Sequence, residues 1–375
     1  LKRLFSALLA FSLAVTATVP LQEETPPAPF SVDAKSYLLM EASTEQILAG
    51  KSIHERRAMA STTKIMTALL TLEQPKLDES FPVDAKAVQV EGSSMGLLPG
   101  DTVSLRTLAA GMLLSSGNDA ANAAAVRIDG SVESFVERMN RRAKQLGLSN
   151  TRFETPSGLD GENHYSTAYD LAILAKNALK NEDFAAICSQ TKQKVCFGDP
   201  PYERTLSNHN KLLSSYEGCI GVKTGFTKKA GRCLVSAAER DGITLICVTL
   251  AASDDWNVHK NLLDWGFSQL QRLDLSPYLA GLTVPIAGET QPVPVKNLSN
   301  PQAVIPAGKE KEVVLQLLVS PFYYRPLFAR QRIGEARFYL DGKLLCSADL
   351  FPAKDLPLPT ENTGIMSRWR RLFGG

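Results

Sequence analysis

The sequence predicts a mixed α/β chain of the α+β kind, in which an antiparallel sheet packs between helices and a small all-β domain follows. Three observations carry that expectation. Strand-like segments open and close the larger N-terminal part, with a long helical stretch inserted between them. The late strands GRCLVSAAE and ITLICVTL are separated only by a polar RDG turn, which suits antiparallel neighbours and leaves no room for crossover helices. Beyond Leu275 the helical period disappears, and short strands alternate with Pro and Gly turns.

The elements follow in order. Lys2 and Arg3 precede the apolar run LFSALLAFSLAVTA and the polar LQEETPPAP, the arrangement of a secretory signal over residues 1–17 with Val15 and Ala17 before the cut. An uncleaved anchor is the competing reading, but the run is short for a bilayer span. The mature chain is expected to work outside the cytoplasm. KSYLLMEA and TEQILAG read as two strands joined by a turn, and residues 59–72 read as a helix. Residues 80–100 read as short extended pieces. LRTLAAGMLL and NDAANAAAVRI are helical and are split by SSG. Val132, Phe135, Val136, Met139 and Leu146 fall near helical spacing over 131–146, residues 151–165 are loop-rich, and 167–179 is helical again. After Gly218 the period becomes that of strands, until the helical WNVHKNLLDWGFSQLQ closes a domain spanning 30–275. Residues 276–355 form the small β-sandwich-like domain, and 356–375 are a linker with an amphipathic C-terminal helix. That helix would put Trp369, Leu372 and Phe373 against a bacterial membrane surface and leave its arginines elsewhere. A helix packed on its own domain, or a frayed end, is the alternative.

Composition narrows the function classes. With 44% hydrophobic and 21% charged residues the chain should fold rather than stay disordered. A formal charge of +2 without a basic stripe gives no reason to expect a nucleic-acid partner. The six cysteines have no metal-ligand spacing, so no metal is expected; Cys247 reads as a core thiol, and a Cys188–Cys196 disulfide is left open.

The chemistry centres on the stretch RRAMASTTKIMTALL. Ser61 and Lys64 lie three apart and share a helix face. A serine hydroxyl attacks an acyl group only with a partner to accept its proton, and a lysine serves once burial and nearby positive charge lower its pKa. Alone, Ser-x-x-Lys is common and uninformative. Two further groups change its weight: Ser116-Gly117-Asn118 interrupts an apolar helical hairpin, and Lys223-Thr224-Gly225 lies on a strand with Lys223 and Gly225 sharing one face. A small residue at Gly225 would let a substrate backbone approach.

Ser-x-x-Lys, Ser-x-Asn and Lys-Thr-Gly in this order resemble the penicillin-binding and serine β-lactamase superfamily, and more narrowly a low-molecular-mass penicillin-binding protein with serine-type D-alanyl-D-alanine carboxypeptidase activity. The resemblance covers roughly residues 30–350 and includes FETPSGLDGENHYSTAYDLAILA. It implies a serine β-lactamase-like transpeptidase domain. It also implies Ser61 as acylated nucleophile, Lys64 as proton acceptor and Ser116 as relay toward the leaving amine. Asn118, Lys223, Thr224 and Gly225 would line the substrate, and the backbone N–H groups of Ser61 and Phe226 would form the oxyanion hole. The implied partners are peptidoglycan stem peptides ending in D-Ala-D-Ala, with β-lactams as covalent inhibitors and no cofactor. The implied location is the outer face of the cytoplasmic membrane, or the cell wall or periplasm, with peripheral attachment. A β-lactamase would need a deacylating glutamate, for which Glu154 and Glu162 are the candidates; His164, Tyr165 and Ser166 then read as structural or rim residues. A D,D-endopeptidase and a non-enzymatic murein-binding scaffold are the remaining alternatives.

Overall fold

A computed structural model describes residues 25–358; the signal segment 1–17 and the membrane-contact positions Trp369, Leu372 and Phe373 lie outside the described residues. Strands β1 (Ala34–Glu41) and β2 (Ile47–Lys51) lead into a 3-10 turn (Ala60–Thr63) and helix α1 (Lys64–Leu72). The short pair β3 (Ser80–Pro82) and β4 (Thr102–Ser104) precedes α2 (Leu105–Leu113), α3 (Asn118–Asp129), α4 (Val132–Gln145) and α5 (Ala168–Ala178). Next come α6 (Glu182–Cys188), the hairpin β5 (Lys192–Gly198) and β6 (Pro201–Ser207), and α7 (Leu212–Ser215). Strands β7 (Cys219–Thr227), β8 (Gly231–Arg240) and β9 (Ile243–Ala252) then run into α8 (Asp255–Gln269).

The main sheet is antiparallel, in the order β2-β1-β9-β8-β7. Its two faces follow the period of two in the sequence. Leu38 and Met40 of β1 join the cluster formed with α1–α5, while Tyr37 and Leu39 join the cluster under α8. Side chains cap several of the helices: Ser104, Ser131, Thr167 and Asn181 each accept a backbone N–H from the first turn that follows. On α4 the predicted stripe is real, with Phe135, Met139 and Ala143 buried and Val132 and Val136 packed beside them.

The C-terminal part begins earlier than the pattern suggests. Strand β10 (Leu270–Asp274) follows α8 directly and pairs with β13 (Gln302–Pro306), across the junction expected at 275. Leu275 itself is buried in the third apolar cluster, with Ile305, Phe338 and Leu350. Around that cluster runs a five-stranded antiparallel sheet, β11-β12-β16-β15-β14, from β11 (Thr283–Val284), β12 (Val293–Asn297), β14 (Val314–Val319), β15 (Gly334–Leu340) and β16 (Lys343–Pro352).

Two further expectations are corrected, and two open points are settled. The helix over 59–72 starts as a tighter 3-10 turn, and its α-helical part begins only at Lys64. Between β3 and β4, residues 83–101 form a loop rather than extended pieces. Residues 182–215, where patterning assigns nothing, hold two helices and a hairpin, each too short for a clear period. Cys188 is a buried free thiol and Cys196 an exposed one, so that pair is not bridged.

The third cluster depends on Phe338, fully buried on β15 with its ring edge-on to Tyr278 at 6.0 Å. Phe338→Ala should cost about 3–5 kcal/mol, seen in calorimetry as a lower-temperature transition. An unchanged transition would show that this cluster does not hold the C-terminal sheet.

Candidate active site

Lys64 stands at the first position of α1 with its side chain fully buried. Its amine has three partners from three parts of the chain: Ser61 Oγ at 3.0 Å, Asn118 Oδ1 at 2.7 Å and the Ser157 carbonyl at 2.5 Å. The Asn118 amide is oriented by its own Nδ2, which donates to the Glu91 carbonyl at 2.7 Å, so Oδ1 must face Lys64. Two of the three partners can only accept. A neutral amine has two N–H groups for those carbonyl oxygens and one lone pair left, which faces Ser61 Oγ. Burial, reinforced by the charge of Lys223 and opposed by Asp119, holds Lys64 well below the ordinary lysine range. Ser61 Oγ therefore faces an amine whose charged form is disfavoured.

The turn carrying Ser61 is strained and pinned. Ala60 has φ +47°, a left-handed conformation that a side-chain-bearing residue keeps only under constraint. Thr62 Oγ1 donates to Met59 O at 2.6 Å, and Thr63 Oγ1 donates to Ala60 O at 2.8 Å. His164 completes the clamp. The Glu154 N–H donates to its Nδ1 at 2.9 Å, so the ring proton sits on Nε2 and is given to Thr63 Oγ1 at 2.8 Å. Burial lowers His164 to about 4, which keeps that tautomer neutral. Gly158 closes the loop over the turn: at φ +85°, a Cβ there would sit 2.1 Å from Ala60 O.

Strand β7 is the edge of the main sheet and runs against the same turn. A Cβ on Gly225 would stand 3.0 Å from Ser61 N and 3.1 Å from Met59 O and Thr62 N. The small residue thus admits the turn that carries Ser61, and it also lines the cleft. Lys223 is buried, and its amine donates to Thr224 O at 2.9 Å and weakly to Thr224 Oγ1 at 3.5 Å, not to Ser116. Burial pushes Lys223 down to about 7.

Ser116 lies between α2 and α3, buried and left-handed at φ +58°. Asp119, in the first turn of α3, holds the facing loop by accepting from Ser94 Oγ at 2.5 Å and from the N–H groups of Met95, Gly96 and Leu97 at 3.0–3.1 Å. Between these walls is a cleft of about 300 Å³ lined by Ser61, Ser116, Thr224, Gly225 and Phe226, and by residues that the sequence reading missed: Ser93, His209, Arg232, Asp255 and Trp256. Arg232 donates through Nε (3.0 Å) and Nη2 (2.7 Å) to one Asp255 oxygen and lies 5.8 Å from the Trp256 ring centroid. Only the capping-type run SDD ahead of α8 hinted at Asp255, and nothing local marked Arg232. Glu154 Oε2 instead takes the Asn163 N–H at 3.0 Å and Glu162 is exposed; neither lines the cleft. His164 and Ser166 are buried rather than on a rim, and Tyr165 stacks under Arg56 with 4.8 Å to its centroid.

Comparisons with known proteins agree with this geometry. The model of the D-alanyl-D-alanine carboxypeptidase family (Peptidase_S11) matches residues 22–254. The chain is 35% identical to D-alanyl-D-alanine carboxypeptidase DacF of Bacillus subtilis, over 100% of this chain and 98% of that protein. It is 34% identical to DacC of Escherichia coli, over 89% and 86% respectively. Among solved structures it resembles penicillin binding protein 5 from Haemophilus influenzae, with TM-score 0.66 and 30% identity over 88% of this chain and 99% of that one. The DD-transpeptidase of Streptomyces K15 matches with TM-score 0.61 and 34% identity, over 65% and 99%.

The buried Lys223 has a measurable signature. Its folded pKa of about 7 lies below the unfolded value of 10.5, so its charged form is disfavoured by folding. That cost is complete below about pH 7, shrinks as pH rises through the window, and is gone above 10.5. Lys223→Met should therefore be more stable than the parent at about pH 6, with the gap closing by about pH 10. Denaturant unfolding at both pH values checks this; a gap that widens with pH would contradict the assignment.

Proposed function

The chain belongs to the D-alanyl-D-alanine carboxypeptidase family, and from that membership we propose how the cleft divides the work. It is a serine-type carboxypeptidase that removes the terminal D-alanine from peptidoglycan stem peptides, and β-lactams are its covalent inhibitors. The observation that carries the assignment of roles is the three-partner geometry of Lys64.

Neutral Lys64 takes the Ser61 hydroxyl proton as Oγ bonds to the carbonyl carbon between the two D-alanines. The developing oxyanion is assigned to the backbone N–H groups of Ser61 and Phe226, a reading supported by the close packing of Gly225 on the turn that carries Ser61. When the tetrahedral adduct collapses, the C–N bond breaks and the amine leaves with a proton relayed through Ser116. Water then attacks the Ser61 ester, with Lys64 again accepting the proton. Asn118 keeps Lys64 aimed, and Lys223 suppresses its protonation because two buried like charges cannot both persist.

The substrate's free carboxylate needs a cation. Thr224 supplies a hydroxyl. Arg232 lines the cleft with Nε and Nη2 held by one Asp255 oxygen, and we assign it to the carboxylate alongside Thr224. The chain is exported in this reading, to the outer face of the cytoplasmic membrane or the cell wall or periplasm, and the basic, apolar C-terminal stretch with Trp369, Leu372 and Phe373 attaches it peripherally to the membrane surface. Among the described residues no helix is long and apolar enough to cross a membrane.

Labelling with a fluorescent penicillin tests the roles. The parent should be labelled stoichiometrically and Ser61→Ala not at all. Lys64→Ala should fold and acylate about 10²- to 10⁴-fold more slowly; labelling of folded Lys64→Ala at the parent rate would sink the assignment. Arg232→Gln should raise KM about 10- to 100-fold for a peptide with a free C-terminus, while leaving kcat near the parent value. An unchanged KM would move the carboxylate elsewhere.

A further inference from the structure

One surface of the C-terminal part is built to keep aromatic rings in water. The loop 320–332 connects β14 to β15, and on it Phe322 is 49% exposed, Tyr324 68% and Phe328 52%. Single exposed apolar side chains are ordinary, but three aromatic rings on one loop are not. Phe322 and Tyr324 stand edge to face with centroids 5.5 Å apart.

This loop is firmly held. Tyr323, between the two exposed rings, turns inward against the third cluster. Its hydroxyl accepts from Ser320 N at 2.9 Å and donates to the Ile333 carbonyl, and its backbone bonds Pro285 O at 3.0 Å and Ala287 N at 2.8 Å. Leu327 is buried and exchanges two backbone bonds with Leu356, at 2.9 and 2.7 Å. Arg325 grips both Glu289 oxygens and donates to the Pro357 carbonyl at 3.0 Å. Alternate residues anchor the loop, so its rings face out by construction.

The position of the chain end identifies the occupant. Leu356 and Pro357 are tied to this loop, Leu358 beside them is 63% exposed, and the chain continues from there into the basic, apolar stretch that ends in RWRRLFGG. Of the arginines on the loop, Arg325 is paired with Glu289 and Arg332 with Asp349 and Glu335, which leaves the exposed Arg330 outside any ion pair among the described residues. Exposed aromatic rings beside that arginine suit the headgroup zone of an anionic bilayer, where the rings sit at the boundary and the cation meets phosphate.

We propose that the 320–330 loop is a second membrane contact, with Phe322, Tyr324 and Phe328 seated in the headgroup layer of an anionic bilayer beside the point where the C-terminal stretch departs. It rests on the reading that this stretch meets the membrane. Two contacts, one of them rigid, would fix the orientation of the C-terminal sheet over the bilayer, where a lone tether would let it swing.

Hydrogen exchange of the full mature chain, with and without vesicles containing phosphatidylglycerol, tests the loop separately from the tail. The expected result is slower exchange in 320–330 as well as beyond 358. Combined Phe322→Ser, Tyr324→Ser and Phe328→Ser should weaken vesicle binding about tenfold and leave hydrolysis of a soluble D-Ala-D-Ala peptide unchanged, since none of the three lines the cleft. Slowing confined to residues beyond 358, with unaltered vesicle affinity of the triple variant, overturns the loop contact and keeps the tail. No slowing anywhere, with no co-sedimentation, removes both. Protection of the loop by protein concentration alone, with a dimer in sedimentation, assigns the rings to a second copy and overturns the proposal.

Discussion

A lysine amine enclosed in the protein interior is the constraint on which this structure turns. An unpaired ammonium there would cost several kcal/mol, so the surroundings must either pair it or neutralise it. Here they disfavour its charge. The partners of Lys64 are a hydroxyl, a side-chain amide oxygen and a backbone carbonyl, none of them charged, and Lys223 adds a repelling field. The three partners come from the turn before α1, the start of α3 and the loop before α5. Packing the amine therefore joins three distant segments beside the cleft.

The neighbouring strain has the same origin. Ala60 and Ser116 both hold positive φ without being glycine, and both flank groups that touch the cleft. Such conformations persist only where surrounding contacts over-determine them. Around Ala60 those contacts are the Thr63–His164 chain and the Gly158 backbone, and beside Ser116 they include the loop that Asp119 gathers. Gly225 lets the edge strand close on the turn. An edge strand is ordinarily a hazard because its backbone groups are unpaired. In this fold Gly225 on that edge packs against the turn that carries Ser61, and Thr224, Gly225 and Phe226 border the cleft.

The opposite face of the sheet contrasts with this. Under α8, His259 is fully buried between Ser236 Oγ at 2.6 Å and Thr249 Oγ1 at 2.9 Å, and burial holds it down to about 3. Both ring nitrogens are engaged and no cleft reaches them. Lys64, by contrast, bonds Ser61, which lines the cleft, whereas His259 is not among the residues that line it.

Sequence alone determined the local spacing of the motif residues to which the chemistry is assigned, and the helix or strand on which most of them ride. Ser61 and Lys64 are three apart, Lys223 and Gly225 alternate along a strand, and the apolar stripe of α4 and the two faces of β1 follow from periods of 3.6 and 2. These are local facts, and local spacing encodes them. What the tertiary structure decided has no local spacing to encode it. The Ser157 carbonyl is a backbone atom that any residue would offer, and it lies 93 positions from Lys64. Thr63 and His164 meet across 101 positions, and Arg232 and Asp255 become a pair only because β8 and the start of α8 converge on the cleft. Gly225 reads as room for substrate, and the turn that carries Ser61 packs there as well, since a sequence can show that space is needed without showing all that fills it. The same holds at the C-terminal junction, where β10 reads as the tail of α8 until β13 pairs with it. Burial finally sets the protonation of Lys64, and burial belongs to the packed fold as a whole rather than to any segment of the chain.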